Sequence, residues 1–353
     1  MHLLRVINEL VKSKGVTLYL SRSGGAYEKH LDQRIKVVHL TNINRSSLLA
    51  LIIGVIKLKR IIVKERLDHM ISVMDMQNVG LMKMSSSRHA FRRILICQVS
   101  PIAQYQNGFI NRYILSQIRK CYRRANHIIA LSGGVAEEIK KLTRIEADKI
   151  SVIHNAGFDQ KLFNKDFSEK RREVDDQVNL VACGRLSEQK GFDLLIEALS
   201  FLPNDDSWHL KILGKGPDEE ALAEQAHKLG LSNQIEFVGF VDDPYSFFEK
   251  SDLFILSSRW EGFGNVIVEA MVTGTAVLST SCPHGPDEII THGKSGWLVA
   301  PNDPKSIAEG LRTLISNDEL RNKLALEGKK RAMDFAPRLI ANRYDELLRA
   351  CVE

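Results

Sequence analysis

The sequence predicts an α/β protein made of two doubly wound, Rossmann-like units in tandem. Three observations carry this. Short apolar runs alternate with longer amphipathic stretches in both halves, which is the rhythm of βαβα chains with parallel sheets. The rhythm pauses at a polar stretch, 164–177, and then restarts. The length of 353 residues suits two domains of about 150 residues each. In the first half, strands are expected at 16–20, 35–40, 70–74, 94–97, 127–131 and 151–154, with helices such as 48–66 and 110–125 between them. In the second half, strands are expected at 179–183, 209–213, 235–238, 253–256, 276–279 and 296–299. Helices follow nearly every one, at 193–200, 219–229, 244–249, 265–272, 286–291 and 305–314. In such sheets ligands sit at the carboxyl ends of the strands, and here also between the domains.

Composition narrows the class further. Hydrophobic residues make up 44% and charged residues 26%, which excludes a disordered or fibrous chain. The longest apolar run, 48–56, ends at Lys57, well short of the roughly 20 residues a membrane span requires. Glu9, Lys12 and Lys14 interrupt any secretory signal core. Cys97, Cys121, Cys183, Cys282 and Cys351 are scattered, odd in number and without a C-x-x-C pair, so reduced thiols in a cytoplasm are expected. The net charge of +6 hides an asymmetry. Residues 1–160 carry 26 Lys and Arg against 11 Asp and Glu, and the remainder 23 against 32. A half this basic faces an anionic partner, nucleic acid or a membrane surface.

Three turns carry the chemistry. In Ser258-Arg-Trp-Glu261-Gly262-Phe263-Gly264-Asn265-Val266-Ile-Val-Glu269, a strand end passes through a glycine-rich corner into a helix. Free amides at the helix start make phosphate the natural guest. Asn265 and Glu269 share a helix face, and a carboxylate there suits sugar hydroxyls. A solvated surface Glu is the plain alternative; Glu261, eight positions earlier, argues against it. In Gly184-Arg185-Leu-Ser-Glu-Gln-Lys190-Gly191, Arg185 can fork onto phosphate oxygens and Lys190 adds a point charge; ordinary surface cations are the alternative. The third turn, Gly214-Lys-Gly216-Pro-Asp, is half of a dinucleotide fingerprint without the rest, so it does not indicate a nicotinamide cofactor. All three follow strands of one domain, and their convergence on one rim argues for a nucleotide-diphosphate site.

The order Gly184-Arg-Leu-x3-Lys190-Gly191, Gly214-x-Gly216, Val238-Gly239, Glu261-Gly-Phe-Gly264 with E-x7-E ending at Glu269, Gly274-Thr-Ala-Val and Gly293-x2-Gly296 resembles retaining glycosyltransferase family 4, of GT-B architecture. The likeness covers nearly all of 150–335 and, more loosely, 1–150. Ser281-Cys-Pro-His-Gly-Pro-Asp-Glu-Ile resembles members that build bacterial surface polysaccharides and lipid-linked oligosaccharides. The resemblance implies two domains facing a cleft: 1–158 on the acceptor side, joined by a final helix at 335–353, and 159–334 holding the donor. It implies a retaining transfer of a hexose or N-acetylhexosamine from a nucleotide sugar, with UDP the family expectation, to a glycan or lipid-linked acceptor. Arg185 and Lys190 would neutralise the diphosphate, with Gly184, Gly262, Gly264, Asn265 and the amides of 263–266 (Phe263 and Val266 included) beside it. Glu269 would hold the ribose and Glu261 the transferred sugar. Gly214 and Gly216, with Val238, Gly239 and Phe240, would flank the base. No cofactor or metal enters this scheme, and the sequence shows no Asp-x-Asp and no His/Cys cluster at ligand spacing.

Two departures from the family pattern bear on the acceptor. The chain opens on what resembles the family's first helix, so the first strand and its Gly-Gly loop are expected to be missing; Ser23-Gly24-Gly25-Ala26 follows the next strand and does not replace that loop. Where the family often has a His, this chain reads Cys97-Gln98-Val99-Ser100-Pro101, and His127, opening a strand, is expected to be structural. Residues 48–56 followed by Lys57, Lys59, Arg60, Lys64 and Arg66 form a candidate contact with an anionic membrane; a sheet-covering helix is the alternative. A cytoplasmic enzyme, peripheral on the inner membrane face, is expected. The competing readings are a non-catalytic nucleotide-sugar or glycan-binding protein, or a shortened transferase without the acceptor loop. Nucleic acid is not expected as a partner, because no aromatic-rich strand or recognition motif accompanies the basic half.

Overall fold

The computed structural model describes residues 2–20, 24, 28–41, 48–64, 67–85, 91–97, 101–105, 108–162, 177–203, 205 and 207–351. Of the segments singled out above, Ser23, Gly25, Ala26, Arg66, 98–100 and 164–176 lie outside the described residues. The chain divides into two compact units, Met1–Ala156 with Pro337–Glu353, and Gly157–Ala336.

The first unit runs through α1 (His2–Leu10), β1 (Thr17–Leu20), β2 (Lys36–His39), α2 (Leu48–Lys64), β3 (His69–Val73), α3 (Asp75–Met84), β4 (Arg92–Cys97), α4 (Pro101–Gln104), α5 (Phe109–Tyr122), β5 (His127–Ala130), α6 (Gly133–Thr143) and β6 (Ile150–Val152). Strands β3-β4-β5-β6 form a parallel sheet, and β1 and β2 form a separate parallel pair. The apolar runs read as continuous because both faces are covered. Leu95, Cys97 and Ile128 point into a core shared with Ile62, Val79, Ile118 and Ile139. Ile94, Ile96 and Ile129 point the other way, toward Val6, Leu10 and the residues of the last helix. Among the described residues, β3 to β6 lie in simple sequence order and β1 bonds to β2; with the sheet of the second unit they give the two Rossmann-like parallel sheets that the sequence predicts.

The second unit contains β7 (Val178–Cys183), a 3-10 turn at Glu188–Lys190, α7 (Phe192–Leu199), β8 (Trp208–Leu213), α8 (Glu219–Lys228), β9 (Ile235–Gly239), α9 (Tyr245–Glu249), β10 (Leu253–Leu256), α10 (Asn265–Val272), β11 (Ala276–Thr280), α11 (Pro286–Ile289), β12 (Trp297–Val299), α12 (Pro304–Ile315) and α13 (Asp318–Ala332). The final helix, α14 (Pro337–Ala350), belongs to the first unit, where Ile340, Ala341, Tyr344 and Leu348 join Val6 and Leu10. The six-stranded sheet has the order β12-β11-β10-β7-β8-β9, parallel throughout. The order therefore reverses between β7 and β10, and all the strands end on one rim.

The boundary falls after Ala156, not after 158, and before Pro337, not before 335. The reason is packing. Phe158 and Phe335 are both buried with Val268 and Ile267 of α10, and the Gly157 amide donates to the Phe335 carbonyl at 2.9 Å. None of the described helices is long and apolar enough to cross a membrane.

The corner between α12 and α13 rests on Arg321, which is 3% exposed. It donates to the carbonyls of Leu314 and Ile315 and to Asp318, closing a helix end that has no partner of its own. We expect Arg321→Ala to cost about 2–3 kcal/mol, the scale of buried charge-assisted bonds, read as a lowered midpoint in thermal denaturation.

Candidate active site

The candidate residues come together on the rim of the second sheet. Its strand order reverses between β7 and β10, and such a switch point is the usual binding position in open α/β sheets. The loop after β7 carries Gly184, Arg185 and Lys190, and the loop after β10 carries Glu261 to Gly264. The loops after β8 and β9 extend the rim. The Gly184 amide donates to Leu213 O at 2.9 Å, the Gly214 amide to Gly239 O at 2.8 Å and the Leu186 amide to Lys215 O at 3.1 Å. This lacing leaves no room for side chains at the corner. A Cβ on Gly214 would lie 1.9 Å from Gly184 O, and one on Gly216 2.0 Å from Leu186 O, so glycine is required at both.

Lys190 and Glu261 touch. The ammonium donates to Glu261 Oε1 at 2.5 Å, and Ser258 Oγ donates to the same oxygen at 2.7 Å. Both side chains are largely withdrawn from water, and such a contact is strong when desolvated partners remain hydrogen-bonded. One carboxylate oxygen is thus held by this chain's own donors. The loop beneath is fixed by Thr280 Oγ1, which donates to Ser258 O at 2.6 Å, and by the Glu261 amide, which donates to Pro283 O at 3.3 Å. Arg185 is exposed.

Helix α10 begins after Gly264. In its first turn the Ile267 amide donates to Gly264 O at 3.0 Å, and the amides of Asn265 and Val266 precede that first bond. Glu269 is buried on this helix at 8% exposure. Asn265 Oδ1 is buried and accepts no hydrogen bond from any described residue. Val238 and Gly239 are half-buried at the end of β9, and Phe240 beyond them is 68% exposed. Burial, with Glu269 nearby, pushes the Cys183 thiol up to about 12. Burial, with Glu261 nearby, does the same for Cys282. These thiols stay protonated and leave the negative charge to the carboxylates.

Ser258, Thr280, Asp193 and Arg259 join the site only in the structure. Ser258 and Arg259 lie inside the Glu261 motif, and Asp193 lies three residues after Lys190; proximity to the named residues was the available signal. His127, taken as structural, sits at the start of β5, bonded to Ser151 Oγ at 2.9 Å. A cavity of about 540 Å³ lies between α7 and α8, lined by residues such as Glu197, Phe201, Glu224 and Leu229; none of its residues is on the rim.

A raised thiol pKa lowers the reactive thiolate fraction. We expect iodoacetamide at pH 8 to spare Cys183 and Cys282 in the folded protein and to alkylate both after unfolding, as read by peptide mass spectrometry.

Residues 163–331 match the model of glycosyl transferases group 1, and residues 1–156 match that of glycosyltransferase family 4. The chain is 31% identical over 228 residues to the lipopolysaccharide core biosynthesis glycosyltransferase LpsE of Rhizobium meliloti, covering 64% of this chain and 65% of LpsE. It is 31% identical over 246 residues to the lipopolysaccharide core biosynthesis mannosyltransferase LpsB of the same organism, covering 64% and 67%. The chain thus spans about two thirds of the length of these relatives. The crystal structure of Anabaena Alr3699/HepE in complex with UDP-glucose superposes with a TM-score of 0.82 at 23% identity, covering 99% of this chain and 95% of that one, which shows the same fold. With both halves matched, and with LpsB alike over two thirds of its length, the chain belongs to the family 4 glycosyltransferases of GT-B architecture.

Proposed function

We propose that this chain is a retaining glycosyltransferase. It moves a hexose or N-acetylhexosamine from a UDP-linked donor to a glycan or lipid-linked glycan in cell-surface polysaccharide synthesis. The observation that carries the reading is the meeting of Lys190 with Glu261 at the strand-order reversal, beside the start of α10 and Glu269. The names of LpsE and LpsB, both of lipopolysaccharide core biosynthesis, and the UDP-glucose bound to HepE support the substrate class.

In this reading, Lys190 and Arg185 face the diphosphate, and the amides of 263–266 add donors to it. Glu269 holds the ribose. Glu261 keeps one oxygen on Lys190 and Ser258 and turns the other to the sugar's hydroxyls. The turns at Gly214–Gly216 and Val238–Phe240 flank the base. The acceptor oxygen bonds to the anomeric carbon on the face from which the diphosphate leaves. The bond to phosphate breaks, and a departing phosphate oxygen takes the acceptor's proton. Catalysis is then charge stabilisation and positioning, with no metal in the scheme.

We further propose that the enzyme works in the cytoplasm against an anionic membrane face. Ile53, Ile56 and Val63 of α2 are exposed among exposed Lys57, Lys59, Arg60 and Lys64, and α2 has no acidic residue. That mixture suits lipid headgroups.

Turnover with a panel of UDP-sugars and lipid-linked acceptors tests the function; donor binding with no turnover on any acceptor would leave only a binding protein. Glu269→Ala and Lys190→Ala should each cut turnover tens-fold or more, because charge-assisted contacts are worth roughly 1.5–3 kcal/mol. Near-normal rates in both undo the site assignment. Replacing Lys59, Arg60 and Lys64 with Ala should weaken co-sedimentation with anionic vesicles, at about 1 kcal/mol per cation; unchanged co-sedimentation removes the membrane proposal.

A further inference from the structure

Two side chains that the transfer scheme does not use tie its two central loops together. Arg259 donates through Nη1 to Asp193 Oδ1 at 2.8 Å and through Nη2 to Asp193 Oδ2 at 2.6 Å. Its Nη1 also reaches Glu188 O at 2.8 Å. Asp193 stands three residues beyond Lys190, at the start of α7, and Arg259 stands two residues before Glu261. The surrounding bonds run between the same two segments. The Arg259 amide donates to Gln189 O at 2.8 Å, Gln189 Nε2 to Trp260 O at 3.0 Å and Ser257 Oγ to Lys190 O at 2.9 Å. These segments leave β7 and β10, the two strands where the sheet order reverses.

An isolated surface ion pair contributes little. This one differs in geometry: the guanidinium meets both carboxylate oxygens as a fork, which fixes direction as well as distance. The Arg259 side chain is only 20% exposed. Burial alone would raise the Asp193 pKa; the Arg259 guanidinium more than reverses it, holding that carboxyl below its ordinary range.

We propose that Asp193 and Arg259 are positioning residues: their clamp sets the spacing of Lys190 and Glu261, and with it the spacing of donor diphosphate and transferred sugar. This rests on the proposed function. Without a donor, Lys190 is held by Glu261; a diphosphate has to draw the ammonium away. With the backbones clamped, only side chains swing. Without the clamp, the loops drift, and a displacement of about 1 Å at a reacting centre costs on the order of 100-fold in rate.

The test compares Arg259→Ala, Arg259→Lys and Asp193→Asn with the unaltered protein. Four readouts are needed: kcat with donor KM, UDP affinity by calorimetry, hydrogen exchange of the 257–263 amides, and thermal melting. For Arg259→Ala we expect kcat to fall about 10- to 100-fold, with a smaller loss of UDP affinity. Exchange at 257–263 should quicken, and the melting point should stay within about 3 °C. Arg259→Lys, which keeps the charge but loses the fork, should recover part of the rate. A kcat within about two-fold of the unaltered protein, unchanged exchange, or a rate loss that only tracks lost folded protein overturns the clamp. Should Arg259→Ala fail to fold, Asp193→Asn decides in the same way, since its carboxylate is half-exposed. Exchange needs no turnover, so an unaltered protein that transfers no sugar refutes the function while the clamp is still read separately.

Discussion

The candidate site depends on a reversal of direction in the second sheet. Strands β8 and β9 extend the sheet on one side of β7, while β10, β11 and β12 extend it on the other. The loops that leave β7 and β10 must diverge to reach helices on opposite faces, and a gap opens between them. Into that gap the chain places opposite charges, Lys190 and Glu261, each from a different loop. Neither charge has this meaning alone. A cation on the rim attracts any anion, and a carboxylate repels most of them. Held together beside the start of α10, they set a positive and a negative group side by side on the rim.

Much of this was legible in the sequence. The strands of both halves appear within a few residues of their expected places because buried parallel strands are short continuous apolar runs bounded by turns. Helix α10 falls at 265–272, as expected, because Gly264 and the apolar residues after Asn265 mark its start plainly. Helix α13 was not anticipated. It is charged along most of its length and buries little beyond Arg321, Leu324, Gly328 and Ala332, so its apolar stripe is thin. The separation of β1 and β2 from the other strands of the first unit was equally hidden, since register between strands is a tertiary property.

At the site, the sequence could nominate residue types but not contacts. Lys190 and Glu261 are 71 positions apart, and no spacing rule links them. The separate roles proposed for them, phosphate for one and sugar for the other, come from the resemblance; their direct contact does not. The same holds for Asp193 and Arg259, which as sequence are one more acid and one more base. The fork between them exists only because the two loops are neighbours in space.

The first unit is assembled from both ends of the chain: α1 near the start and α14 at 337–350 share one core. Domains generally fold as they leave the ribosome, earliest part first. Here the earliest part waits. The second unit is a single uninterrupted stretch, whereas the core around Val6, Ile96 and Ile129 is completed by Ile340, Ala341, Tyr344 and Leu348, which are translated only after the whole of the second unit.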